Sequence, residues 1–487
     1  MAYVAVFLAI VVVVLSILYQ CLQSRFNSNH SKDSGNVRTQ GKPRTSAKIP
    51  GMEKRNQDKG NLEDIMDAGG FQKFIFKLHA EYGDIASFWY GKHYYVSLAS
   101  PEAWKDHIKA FDKPDDLYEF SKPLIGAKNI QFANGEDAKR RRKLYDVSFQ
   151  YEAVARYHKC YQEMADEVAE KISSLPAGEH IAVKECMSWF VSHAYRRVVF
   201  GDTFDDETKV VALHDHYVTT MDALNQKIGN PGLETDEKFD RALKVWHDLM
   251  RDIVQHRRDN PPLSYEDRNF LDILIDSCEN EEQLLSEVLV YYSGGYHTTT
   301  FMLVWALYYL SQDMTLQDKV HEEVIEVLGK ESNRDYWTYA KLGYGKRVLD
   351  ESIRCSVLAP FTARINYDED MEVLGYRIEK GAGVVHALGV VHMDENIWPE
   401  PERFDPDRFL PEQVAKRHTL AFSPFGFAGK RICPGYRLSY ATSIVLLATL
   451  CERFKFSYVG SKNVRKKYGI VTLPSEEVWV TAEKREQ

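Results

Sequence analysis

Phe425-Gly426-Phe427-Ala428-Gly429-Lys430-Arg431-Ile432-Cys433-Pro434-Gly435 sets a single cysteine in a glycine-rich loop, directly before an apolar run, Tyr436 to Leu450, that reads as a helix. A helix N-terminus and the free N–H groups of such a loop lower a thiol's pKa and can hydrogen-bond its sulfur, which suits a thiolate metal ligand. The competing reading is a structural cysteine buried in a tight turn.

Working outward, three further patterns precede the loop. Glu351-Ser352-Ile353-Arg354 puts opposite charges at an i, i+3 spacing, on one helix face where they can pair. Pro401-Glu402-Arg403-Phe404 runs into Asp405-Pro406-Asp407-Arg408-Phe409. Within the apolar stretch Glu282 to Gln312 lies Ser293-Gly294-Gly295-Tyr296-His297-Thr298-Thr299, where small residues permit close approach to a helix face and a hydroxyl can relay a proton.

Taken together these stretches resemble the cytochromes P450. The loop is similar to that family's haem-binding pattern F-x-x-G-x-R-x-C-x-G, with Gly429, Arg431, Cys433 and Gly435 matching in position. The resemblance implies haem b as cofactor, Cys433 as the axial thiolate ligand of its iron, and a mainly α fold with a small β-rich lobe. It implies a catalytic hydroxyl at Thr298, with Gly294 and Gly295 beside the haem face. The family's acidic residue before the threonine is replaced by His297, which is expected to shuttle protons in its place. The family's phenylalanine, seven residues before the cysteine, is replaced by Gly426, and aromatic rings stand on either side at Phe425 and Phe427. Arg431, Arg364 and Arg142 are expected at the haem propionates. Ala138 stands where the family's W-x-x-x-R helix has its tryptophan. Glu351 and Arg354, completed by Arg403 of the PERF segment, are expected to form a buried structural charge network.

At finer grain, Lys59 to Ile65, Tyr82-Gly83, Ser87 to Gly91 and Ala387 to Val391 resemble P450 family 20 of animals, an orphan branch. The implied activity is monooxygenation of a small apolar, lipid- or steroid-like substrate with O2. No G-x-G-x-x-G fingerprint occurs, so electrons are expected from a separate NADPH–cytochrome P450 reductase, with cytochrome b5 as a second donor. The basic run Lys139 to Lys143 is a candidate docking face for that partner. A reductase-independent isomerase or dehydratase, and a non-catalytic haem-binding membrane protein, are the alternatives.

The rest of the chain bounds these expectations. Of 487 residues, 44% are hydrophobic and 27% charged, with 62 Lys plus Arg against 71 Asp plus Glu and a net charge of −9. That composition supports a folded core and argues against disorder or a nucleic-acid partner. Seven cysteines with no C-x-x-C pair read as thiols in a reducing compartment. Ala2 to Ser24 carries no charge, and 1–24 is expected to be a single transmembrane anchor. A basic polar tether follows at 25–59, its Lys and Arg residues favouring a cytoplasmic catalytic unit at 60–487 on the endoplasmic reticulum. Asn29-His30-Ser31 fits a glycosylation sequon that this topology makes a chance match.

Secondary structure follows from periodicity. Ile85 to Ala99 is β-prone and broken by Gly91-Lys92, which predicts a hairpin, and Ser100-Pro101-Glu102 then caps a helix. Glu152 to Ser173, Lys238 to Arg257 and Glu282 to Gln312 predict helices. Strands are expected at Met371 to Ile378, Ala382 to His386 and near Ile470 to Thr481. The resemblance to the P450 family implies that substrate choice lies in the loop after the hairpin, around Met221 to Pro231, and near Leu473 and Pro474.

Overall fold

A computed structural model of the chain describes residues 48–486, apart from 202–205, 228–233, 265 and 330–333. The anchor expected at 1–24 lies outside the described residues, and among those described no helix is long and apolar enough to cross a membrane. The fold is mainly helical with small sheets.

The predicted hairpin forms as β1 (Ile85–Tyr90) and β2 (His93–Leu98), paired antiparallel with Ile85 opposite Leu98 and Tyr90 opposite His93. Gly91 turns it at a φ of 60°. The Ser100 hydroxyl accepts the Ala103 N–H at 3.3 Å and starts the helix Pro101–Asp106.

Upstream, the folded unit begins earlier than the boundary expected at Gly60. Ile49 is buried beside Val96 and Trp104, and Pro50 and Met52 exchange backbone hydrogen bonds with Ser87. The end of the expected tether is therefore an added edge of the sheet, because pairing satisfies amides that polar composition had suggested water would satisfy.

Among the helices, those that build the site are α1 (Gly135–Tyr145), α2 (Val183–Phe200), α3 (Glu281–Ser311), α4 (Gly343–Ser356) and α5 (Tyr436–Arg453). Asn280 caps α3 by accepting the Gln283 N–H at 3.0 Å. Nearly every face of α3 is buried, since it packs on α2, α4 and α5. Two strands complete the four-stranded sheet: β3 (Thr362–Ile365), which periodicity did not predict, and β4 (Gly383–His386). Their order is β1-β2-β4-β3, with β2 and β4 parallel and the other pairs antiparallel. The stretch 371–378 forms a separate small hairpin, and Trp479–Lys484 pairs with Phe454–Tyr458 and Ile181–Ala182.

The charge network forms with one substitution of partner. Arg354 donates to both oxygens of Glu351, at 2.7 and 2.8 Å, and both side chains are 0% exposed. Arg354 also donates to the carbonyls of His392 and Pro401 at 2.9 and 2.8 Å. Arg403, expected to complete the network, instead has a side chain 64% exposed and pairs with Glu400 at the surface. Arg408 takes the place, with its Nε 3.3 Å from Glu351 Oε1. The pattern P-x-R-F occurs twice, starting five residues apart, and the second copy, Pro406 to Phe409, is the one folded as a short 3-10 turn against α4.

Candidate functional site

An internal cavity of about 330 Å³ lies between α3 and the loop preceding α5. Cys433, Pro434 and Gly435 line it on one side; Gly294, Gly295 and Thr298 of α3 line it on another. Apolar walls come from Val199, Val290, Met302, Leu358, Phe361 and Leu388. No carboxylate is among the described lining residues.

Cys433 lines the cavity and is exposed to it. Its backbone N–H donates to the Phe425 carbonyl at 2.9 Å, which closes the loop. Burial raises its thiol above the ordinary value, while the Gly435 N–H and the charges of Arg142 and Lys113 act in the opposite direction. The helix terminus and loop amides thus moderate the thiol without making it a thiolate; a bound metal ion would supply the remaining stabilisation.

Gly426 has a φ of 78°, a left-handed conformation that a phenylalanine would adopt only under strain. That geometry accounts for the displaced aromatics, and the two rings part company. Phe425 lines the cavity and packs on Tyr440, ring centres 5.4 Å apart. Phe427 does not reach the cavity. It stacks between Trp104 at 5.1 Å and His386 at 4.6 Å, tying the loop to the sheet lobe. Its expected place beside the cofactor is corrected accordingly.

On α3, the Thr298 hydroxyl donates to the Gly294 carbonyl at 2.7 Å. Gly295 has a second use: a Cβ there would lie 1.9 Å from the ring of Tyr195, so the glycine admits that ring of α2. The structure does not bring His297 to the cavity. Successive helical residues diverge by about 100°, and His297 is buried against Phe301 and Tyr217, with ring centres at 5.0 and 5.9 Å. Burial, with a smaller contribution from Lys184, lowers its pKa to about 3, so the imidazole is neutral at pH 7.

Cations converge at one end. From α1, Arg142 binds Asp146 at 2.7 Å through Nε and donates to the Ile432 carbonyl at 2.8 Å. From β3, Arg364 donates to the carbonyls of Ala363 and Arg431 at 2.7 and 3.3 Å. From the loop, Arg431 donates to the carbonyls of Ile130 and Ala133 at 2.7 and 2.8 Å. The Nε atoms of Arg364 and Arg431 are buried without a hydrogen-bond partner. Burial pulls both guanidinium groups down to about 10, and their mutual repulsion with Arg142 adds to the shift. Lys113, which motif reading missed, joins them; it follows Asp112 and precedes Pro114-Asp115-Asp116, so in sequence it looks like one charge of a solvated loop.

Such a cluster needs negative charge, and the group it suits carries two carboxylates at one edge and a metal within reach of a thiolate. Haem b meets both demands: its propionates would be held by Arg142, Arg364 and Arg431 and its iron by Cys433. Elsewhere on α1, Ala138 is fully buried, Arg141 turns inward to Glu287, and Lys139 and Arg140 pair with Glu136 and Asp137 at the surface.

Residues 50–480 match the family model described as Cytochrome P450. "Cytochrome P450 20A1" of Rattus norvegicus is 30% identical over 91% of this chain and 94% of its own length. The Homo sapiens protein of that name is 28% identical over the same shares, and "Cytochrome P450 4V2" of Pongo abelii is 25% identical over 76% of each chain. With the motifs, the cavity and a match across most of its length in accord, the chain belongs to the cytochrome P450 family, whose cofactor is haem b.

Proposed function

We propose that the chain is a monooxygenase that inserts one atom of O2 into a small, neutral, apolar substrate. The observation that carries this reading is the single cavity shared by Cys433, the Thr298 hydroxyl and an apolar wall. Bound haem supplies a redox-active iron at which dioxygen can be activated. Cys433 would offer its sulfur as the ligand, and Arg142, Arg364 and Arg431 would hold the carboxylates at one edge. Thr298 holds a proton at Oγ1, one turn from the Gly294 carbonyl, where it can be passed toward the cavity. Val199, Val290, Met302 and Phe361 exclude water and would hold an aliphatic substrate.

Electrons would come from NADPH–cytochrome P450 reductase, with cytochrome b5 as a second donor. The uncharged stretch 2–24 and the basic residues after it support an anchor in the endoplasmic reticulum with the catalytic unit facing the cytoplasm. Lipid- or steroid-like compounds then become the first substrates to screen.

The test is turnover of such a library by the haem-loaded chain with reductase and NADPH, read by mass spectrometry. Products one oxygen heavier that require NADPH, and that disappear in Cys433→Ser, support the reading. Products formed without NADPH would instead make the chain an isomerase or dehydratase. No spectral response of the haem-loaded chain to any compound would favour a non-catalytic haem protein.

A further inference from the structure

We propose that a second cavity, between the end of α1 and the helix Phe270–Ser277, is a ligand site for a small aromatic acid that carries a neutral hydrogen-bond acceptor besides its carboxylate. The pocket lies outside the haem site and its occupancy does not depend on monooxygenation, so either reading can fail alone.

Separation comes first. The cavity has a volume of about 360 Å³, and Phe149 is the residue that its lining shares with that of the cofactor cavity. Phe149 is buried; it stacks on Tyr291 with ring centres 5.6 Å apart and planes at 11°, and meets Phe270 edge-on at 5.1 Å. Tyr291 lines the first cavity and Phe270 the second, so a packed layer of rings divides the two. On the outer side, Leu144 and Val147 line the second cavity and are 41% and 48% exposed, which leaves apolar surface at its mouth.

Polarity comes second. Asn269 lines the cavity while only 5% exposed, and its amide orientation is fixed: Oδ1 accepts the Asp272 N–H at 3.3 Å as the cap of the helix, and its own backbone N–H donates to Asp272 Oδ2 at 2.8 Å. Arg257 holds that carboxylate in turn, at 2.7 and 2.6 Å. Asn269 Nδ2 is left buried with no partner, and so is the hydroxyl of Ser148, another lining residue. An unmet buried donor costs about 1–3 kcal/mol, so an acceptor brought to these two atoms binds with that much in its favour. Charge is unbalanced at the rim as well. Asp276, the one carboxylate among the described lining residues, is neutralised by Arg268. Arg156 is exposed, lies over the Tyr157 ring at 5.8 Å and has no carboxylate partner among the described residues. Water can meet the two donors but not the apolar walls of Val198, Phe270 and Ile273. An aromatic body covers those walls, a carbonyl oxygen meets the donors and a carboxylate meets Arg156.

The probe is para-benzoylbenzoate, which joins these three features in one molecule and cross-links to its surroundings on irradiation. Photolysis on the haem-loaded chain followed by peptide mapping should place the label within 144–157 or 268–277. Calorimetry should show saturable binding that weakens roughly tenfold in Arg156→Gln. Ala153→Phe, which sets a ring in the cavity from a half-buried position, should abolish both signals while the carbon monoxide spectrum of the reduced protein stays that of wild type. Label confined to α3 or the cysteine loop would overturn the assignment, since the acid would then occupy the cofactor cavity. Affinity unchanged by either substitution, or no saturable binding to wild type, would overturn it too.

Discussion

The amide of Cys433 and the carbonyl of Phe425 are joined at 2.9 Å, so the one ring of the loop that lines the cavity is carried on the residue that closes it around the sulfur. Phe425 is therefore placed to shield the thiolate, while Phe427 anchors the loop by stacking on Trp104 and His386. Phe425→Ala should shorten, several-fold, the lifetime of the thiolate-type carbon monoxide band of the reduced protein. Phe427→Ala should lower folding stability by roughly 3 kcal/mol while the fresh protein keeps that band. Time-resolved carbon monoxide spectra and urea titration separate the two.

Arg408 and Arg403 invite a direct comparison. Arg408→Ala leaves the fully buried Glu351 short of a counter-charge and should destabilise the chain by about 3 kcal/mol or more. Arg403→Ala removes an exposed pair and should change stability by no more than about 0.5 kcal/mol. Urea midpoints and the yield of haem-loaded protein read the difference; the reverse ranking would restore Arg403 to the network.

The paired glycines of α3 should also separate. Gly295→Ala drives a methyl into the Tyr195 ring and should destabilise by about 1–3 kcal/mol. At Gly294 a Cβ meets nothing within 4 Å, so Gly294→Ala should fold normally and alter the spectral response to ligands instead. Equal stabilities for the two variants would contradict the packing described.

Buried histidines predict acid lability. His297 and His392 are held near 3 and His79 and His107 near 4, chiefly by burial. Each folded-state value is below the unfolded value of about 6.5, so as pH falls from 6.5 towards 4 the unfolded chain binds protons that the folded chain refuses. Stability drops on that side, by up to about 1.4 kcal/mol per pH unit for each such group. Glu287, raised to about 7, opposes the trend, so a single variant is the cleaner readout. His297→Phe should flatten the urea-midpoint profile between pH 7 and 5 by up to one proton's slope, and an unchanged slope would place His297 in contact with water.

Much of this was legible where spacing alone fixes geometry. The cysteine loop, the hairpin at Gly91-Lys92 and the i, i+3 pair of Glu351 and Arg354 are local patterns, and the structure forms each of them. What stayed hidden depends on direction or on distant partners. Nothing in the order His297-Thr298 says which of two neighbours on a helix faces the cavity. The duplicated P-x-R-F text offers two arginines, and only packing against α4 selects Arg408. β3 is four residues long and gains its identity from β4, while Lys113 is masked by the acidic residues around it.

The strip from Ile108 to Lys113 has a consequence for how the chain can vary. Its first residue accepts from the cysteine loop, its fifth from β3 and α1, and its sixth is clasped by Asn134. Six residues thus span three fixed attachment points, so a point substitution can leave the attachments intact, whereas an insertion or deletion must break at least one. Length, more than composition, is the property this strip cannot exchange.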